Sequence, residues 1–179
     1  MFSGKTEELI RRIKRAKIEK KNFLIFKPKI ESRYSPDHIV TNDGIKFPCM
    51  VVDSEKPEEI LDIVKKHNDV DVVAVDEVNL FSRKIVDVCE ELAKNSIRVI
   101  ATGLDLTSWG EPFHPMPELM AKADFVDKLQ AVCVKCGLFA TRTQKIVDEE
   151  PVKHGEHMVL IGGADKYEAR CRNCFEISK

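Results

Sequence analysis

Two short cysteine pairs, Cys133-Val134-Lys135-Cys136 and Cys171-Arg172-Asn173-Cys174, restrict this 179-residue chain more than any other feature. Four thiolates in this form can close on one tetrahedral metal, and zinc sits in such a site at about 2.3 Å from each sulfur. All four positions are then sulfur, so no coordination position remains for a substrate and the metal is expected to be structural. Residues 137–170 separate the pairs, more than a common ribbon needs, so the insert is expected to have a role of its own. Redox use of Cys-x-x-Cys is the competing reading, and two copies flanking β-like segments speak against it. Cys49 and Cys89 stand alone among apolar residues and read as core.

Upstream of the cysteines, apolar runs alternate with helical periodicity. Leu9, Ile10, Ile13 and Ala16 mark one face of a helix over 6–20, and Phe23 to Phe26 is a short apolar run stopped by Pro28. Cys49 to Val52, Val72 to Val75 and Arg98 to Ala101 read as further strands. Helices are expected over 58–68, started by Pro57, and over 85–92. Buried strand followed by amphipathic helix is the α/β pattern, a mostly parallel sheet with helices on both faces. Beyond about Val132 the strands shorten, Gly and Cys become common and no long helical pattern remains. A boundary near 129–132 therefore divides an α/β domain (1–130) from a small β-rich zinc-binding lobe (131–179).

Composition narrows the partners. The net charge of −1 gives no sequence-wide basic excess, so nucleic acid is not expected. Seven Lys or Arg between Arg11 and Lys21 read as the solvated face of the first helix. No apolar run approaches the roughly 20 residues that cross a bilayer. The polar opening is unlike a signal peptide, and a cytoplasmic location is expected.

The chemistry lies at two places. Met1-Phe2-Ser3-Gly4-Lys5-Thr6 runs directly into a helix, and Gly-Lys-Thr is the end of a phosphate-binding P-loop. In such a loop backbone N–H groups hold phosphate, the Lys reaches the β/γ-phosphates and the Thr hydroxyl reaches Mg²⁺. The first glycine of that pattern would lie two residues before Met1 and no strand feeds the loop, so an earlier start of the chain is expected. Asp76-Glu77 follows the strand Val72 to Val75, at the carboxyl end where open α/β sheets collect ligands. One acid there can organise Mg²⁺ while its neighbour takes a proton from an attacking hydroxyl.

These pieces, in this order, resemble the cellular-type (type II) thymidine kinase family from Met1 to about Phe175. Met1 to Thr6 is similar to the second half of its Gly-Pro-Met-Phe-Ser-Gly-Lys-[Ser/Thr] loop. Phe26-Lys27-Pro28 with Glu31-Ser32-Arg33-Tyr34 resembles its Lys-Pro…Asp-x-Arg-Tyr segment, and Asp76-Glu77-Val78-Asn79 its Asp-Glu-x-Gln box. Gly103-Leu104-Asp105 with Pro112-Phe113 is similar to its Gly-Leu-Asp…Pro-Phe stretch, and Ile161 to Tyr167 to the loop that closes over the base.

The resemblance implies a P-loop (RecA-like) fold and transfer of the ATP γ-phosphoryl to the 5′-hydroxyl of thymidine, with Mg²⁺ and a structural Zn²⁺. Glu77 would be the general base. Met1, Phe2, Ser3, Gly4, Lys5, Thr6, Glu31, Ser32, Arg33, Asp76 and Asn79 would form the ATP and Mg²⁺ site. Leu80, Leu104, Ser108, Phe113, Met158, Val159, Leu160, Ile161, Gly162, Gly163 and Tyr167 would meet the nucleoside. A homotetramer and feedback inhibition by thymidine triphosphate are further implications.

Leu80 stands where the family places an aromatic, and Ser108-Trp109 replaces Phe-Arg. Both Leu80 and Ser108 shrink the apolar wall, so only a modest preference for thymidine over deoxyuridine is expected. A zinc-ribbon nucleic-acid-binding protein with a degenerate ATPase half is the alternative reading. Lys135, Arg142, Lys145 and Arg172 favour it, and the scarcity of stacking aromatics does not.

Overall fold

In the computed structural model, residues 1–31, 37–40, 44–147, 150–152 and 166–176 are described. Helix α1 (Lys5–Ile18) opens the chain and buries Leu9, Ile10, Ile13 and Ala16, while Arg11, Lys14, Arg15 and Lys17 face water. It stops two residues earlier than its periodicity predicts. Lys20 takes the left-handed conformation (φ 58°), and Lys21 N–H reaches back to the Ala16 carbonyl at 3.0 Å. That is a Schellman ending, with lysine in the place glycine usually fills.

Strand β1 (Phe23–Pro28) leads to a small antiparallel hairpin of β2 (His38–Val40) and β3 (Lys46–Pro48), and then to β4 (Met50–Val52). Next come α2 (Glu59–Lys66), β5 (Val72–Val75), a 3₁₀ turn (Val78–Leu80), α3 (Ile85–Lys94), β6 (Arg98–Ala101) and α4 (Met116–Lys122). Strands β1, β4, β5 and β6 form one parallel sheet in the order β4-β1-β5-β6, with Phe26 opposite both Met50 and Val75.

Period-2 alternation sorts the strand residues onto two buried faces. Leu24, Phe26, Val73 and Val75 pack with Ile60, Val64, Ile85, Val88 and Leu92 under α2 and α3. Phe23, Ile25, Ala74 and Ile100 pack with Leu9, Ile10 and Ile13 under α1. The expected α/β sheet with helices on both faces is therefore present. Ile60 and Ile85 are fully buried, each side chain contributing roughly 1.5–3 kcal/mol of burial. Truncating Ile60 to Ala would cost about 2–5 kcal/mol. Cys89 belongs to the first face, where burial pushes its thiol up to about 12.

The sequence pattern did not give the β2–β3 hairpin or α4. Both are short, and α4 has no fully buried residue to impose a period. Beyond α4 the strands are short and pair antiparallel. Strands β7 (Ala131–Val132) and β8 (Phe139–Ala140) pair antiparallel. Strand β9 (Arg142–Val147) pairs with both β10 (Glu150–Pro151) and β11 (Tyr167–Arg170). The apolar cluster here consists of Ala131, Cys133, Ala140, Ala169 and Cys171, against which Cys174 packs. No large aliphatic side chain belongs to it among the described residues. A core this thin needs another source of stability, and metal ligation is the usual one in small lobes.

Among the described residues no helix is long and apolar enough to cross a membrane.

Candidate functional site

The Gly4 N-cap and α1 build the first half of the site. Phe2 (φ 62°) and Gly4 (φ 76°) both adopt left-handed backbone, the conformation found in backbone nests that bind anions. Gly4 suits this conformation because it carries no Cβ. No side chain caps the start of α1, so its first-turn N–H groups keep their capacity to hold an anion, reinforced by the helix dipole. Glu8, in that first turn, is bound by Arg11 and Arg12. The Arg11 hydrogen bond is the main cause that lowers its carboxyl to about 2. Its charge is thus matched from the following turn rather than left facing the loop. Lys5 and Thr6 lead the helix and are half-buried.

The second half comes from the carboxyl end of β5. Asp76 is 5% exposed. Its Oδ1 accepts from Thr102 Oγ1 at 2.6 Å and from the Glu77 N–H at 2.9 Å. Its Oδ2 accepts from Thr6 Oγ1 at 3.2 Å. Burial, then the Glu77 charge, push its carboxyl above the usual range, while Thr102 and Lys5 pull the other way. Glu77 is half-buried with φ 49° and ψ 44°, left-handed backbone that a side-chain-bearing residue adopts at a cost. That cost is borne where the chain leaves β5 for the 3₁₀ turn.

Asn79 is 4% exposed, and its Oδ1 accepts from Leu104 N–H at 2.9 Å. Its amide therefore holds the loop after β6. Gly103 in that loop is a close approach: a Cβ there would stand 2.8 Å from Asn79 Oδ1, 2.9 Å from Met116 Sδ and 3.0 Å from Val78 Cγ2. The loop then folds on itself through Phe113 N–H to Asp105 O (2.9 Å) and Thr107 N–H to Glu111 O (2.8 Å). Leu80, Leu104, Ser108 and Phe113 are all half-buried, and Ser108 Oγ is enclosed without a hydrogen-bond partner among the described residues. Tyr167 is buried at the start of β11, opposite Lys145. A groove of about 1190 Å³ runs along β6, the edge strand of the sheet among the described residues, from Lys5 and Leu104 to Phe125.

Glu31 closes the turn after β1, its N–H donating to the Pro28 carbonyl at 3.0 Å. It is 8% exposed, and its Oε2 lies 3.4 Å from Nζ of Lys27, itself 2% exposed at the end of β1. Lys27 Nζ also donates to the His38 carbonyl at 3.1 Å. Ser32, Arg33 and Met158 to Gly163 lie outside the described residues. Sequence reasoning did not single out Thr102, and it named Lys27 only within the Phe26-Lys27-Pro28 segment, without a role. Thr102 carried a signal, since it follows a parallel strand at the carboxyl edge where ligands gather. Lys27 carried another, a lysine inside the apolar run Phe23 to Pro28.

The four cysteines converge. Sγ atoms of Cys133, Cys136, Cys171 and Cys174 all lie within 4.8 Å of one another, with Cys136 and Cys171 at 3.6 Å. A tetrahedron with bonds of about 2.3 Å has edges of about 3.8 Å, so four thiolates at these separations fit one zinc. The pairs sit on matching turns: Gly137 N–H reaches Cys133 O at 2.9 Å, and Phe175 N–H reaches Cys171 O at 3.0 Å. Burial alone would raise the Cys133 thiol. Backbone N–H groups of Cys171, Lys135 and Cys136 outweigh it and bring the thiol down to about 6, while hydrogen bonds among the neighbouring thiols push Cys136 and Cys174 up, as expected when four sulfurs share few protons. Phe175, next to Cys174, also packs on Gly110 of the loop after β6. The metal lobe and that loop are thus in contact.

A central parallel sheet, an uncapped Gly-Lys-Thr helix start facing an acidic pair, and a four-cysteine lobe able to hold zinc define an α/β protein of the P-loop kind. A family model described as "Thymidine kinase" matches residues 1–175. The chain belongs to the thymidine kinase family.

Proposed function

We propose that the protein transfers the γ-phosphoryl group of ATP to the 5′-hydroxyl of thymidine, giving thymidine monophosphate. The observation that carries this is the meeting of Thr6 and Asp76, 70 positions apart in sequence, at 3.2 Å. It joins the phosphate-binding start of α1 to the acidic end of β5, the two halves a phosphoryl-transfer site requires. Lys5 and the N–H groups of residues 1–6 hold the phosphates, and Thr6 and Asp76 hold Mg²⁺. Bound Mg²⁺ supplies charge neutralisation at the phosphate oxygens. Glu77, beside Asp76 but turned by its left-handed backbone, accepts the proton of the 5′-hydroxyl. Arg33 offsets charge on the transferring group.

The nucleoside lies against Leu80, Leu104, Ser108 and Phe113, with Met158 to Gly163 reading the base through backbone groups and Tyr167 anchoring that segment. Asn79 serves this site indirectly, by fixing Leu104. The ATP-binding unit spans 1–130, and the zinc lobe, 131–179, steadies the base-reading segment.

The deciding experiment is a coupled assay with ATP, Mg²⁺ and each natural deoxynucleoside, plus deoxyuridine. Thymidine and deoxyuridine should both react, and purines should not. The two pyrimidines differ by one methyl group, worth about 1 kcal/mol in an apolar pocket, so kcat/KM should differ by about tenfold or less. Turnover of purines alone, or of no nucleoside, would overturn the assignment.

A further inference from the structure

We infer that Thr102 is a positioning residue, whose hydroxyl locks the Asp76 carboxylate so that one defined oxygen faces Thr6. This inference rests on the kinase reading above. A carboxylate at the end of an aspartate side chain turns easily, because its terminal torsion is broad and nearly two-fold. Something must therefore choose which oxygen meets the nucleotide site. In this structure Oδ1 is occupied by two donors, Thr102 Oγ1 at 2.6 Å and Glu77 N–H at 2.9 Å. Oδ2 is left to Thr6 Oγ1, whose bond is longer at 3.2 Å. The short bond sets the orientation and the long one is the exchangeable side.

Thr102 is itself held rigidly. Its N–H donates to the Val75 carbonyl at 2.9 Å, and its own carbonyl accepts from Val78 N–H at 2.9 Å. The hydroxyl is thus fixed by backbone bonds on either side of the acidic pair, to β5 and to the 3₁₀ turn. A side chain anchored this way restrains its neighbour without touching substrate, the arrangement that keeps a reactive group within a few tenths of an ångström of its working place.

Thr102→Val keeps the shape and removes the hydroxyl, Thr102→Ala removes it without adding bulk, and Thr102→Ser retains it. The expected result is a fall in kcat of roughly 10- to 100-fold in Thr102→Val and Thr102→Ala, the size of one hydrogen bond to a charged group. The Mg²⁺ concentration for half-maximal rate should rise, the KM for thymidine should stay within about twofold, and Thr102→Ser should restore kcat. A merely structural hydroxyl would lower the melting temperature while leaving kcat per folded molecule and the Mg²⁺ dependence where they were, and that result overturns the inference. Two hydroxyl-free variants guard against one failing to fold. A wild-type protein that phosphorylates no deoxynucleoside sinks the kinase reading itself. Active wild type beside a Thr102→Val or Thr102→Ala variant of unchanged kcat sinks only the role of Thr102.

Discussion

Gly103→Ala adds one methyl group to the loop after β6, and the structure shows what it would strike. The new Cβ would stand 2.8 Å from Asn79 Oδ1, 2.9 Å from Met116 Sδ and 3.0 Å from Val78 Cγ2. Carbon normally keeps about 3.5–4.0 Å from such atoms, so something has to move. Met116 is long and half-buried and can swing aside at little cost. Asn79 cannot, because it is 4% exposed and its oxygen holds Leu104 N–H at 2.9 Å. Overpacking of this kind costs about 1–3 kcal/mol, and loss of the Asn79 hydrogen bond about 0.5–1.5 kcal/mol more. The sum, roughly 2–4 kcal/mol, corresponds to a fall of about 5–15 °C in melting temperature for a chain of this size.

Gly137→Ala is the contrasting case. Nothing lies within 4 Å of its Cβ, but φ is 74°. Only backbone strain acts there, about 1–2 kcal/mol. Thermal unfolding by circular dichroism would compare the two in zinc-loaded protein. A Gly103→Ala protein melting within 2 °C of wild type (about 0.5–1 kcal/mol by the same scale) would refute the claim that Asn79 is rigidly engaged.

Glu77→Gln keeps the size of the side chain and removes its basicity, so turnover should drop by about 10² to 10⁴ while ATP binding persists. Near-normal turnover in a single-turnover assay would remove Glu77 from the role of base. Elemental analysis should find one zinc per chain, and Cys136→Ser should release it and melt the β7–β11 region before the parallel sheet. A metal-free native protein would falsify that ligand set. Lys27→Met withdraws the ammonium from a carboxylate on a side chain only 9% exposed and should cost about 3–5 kcal/mol by urea unfolding. Adding Glu31→Gln should return more than half of it, and a double variant no better than the single one would show that the pair is not coupled.

Much of the architecture was readable in advance because strand and helix signals were pure. Val72 to Val75 is buried on both faces, so it reads as an unbroken apolar run. The helices α1 and α3 carry full apolar stripes. The cysteines announced their own convergence. What escaped were elements with little burial to pattern them, namely β2, β3 and α4. Burial of the Lys27–Glu31 pair illustrates a different limit. The two residues are four apart in sequence, but nothing local says that both will be enclosed, with Lys27 Nζ also donating to the His38 carbonyl. Thr102 is similar: it is an ordinary hydroxyl after a strand until β5 and β6 align and set it against Asp76.

The contact between Phe175 and Gly110 has an optical consequence. The chain holds one tryptophan, Trp109, the residue before that glycine. Phe175 follows Cys174 directly, and its edge stands 3.1 Å from where a Gly110 Cβ would lie. A change at the cysteine cluster has a short route to the indole through two adjoining residues. Intrinsic emission from the unlabelled protein is therefore expected to respond when a chelator is added, against no background from any other indole; emission that stays unchanged would refute that route.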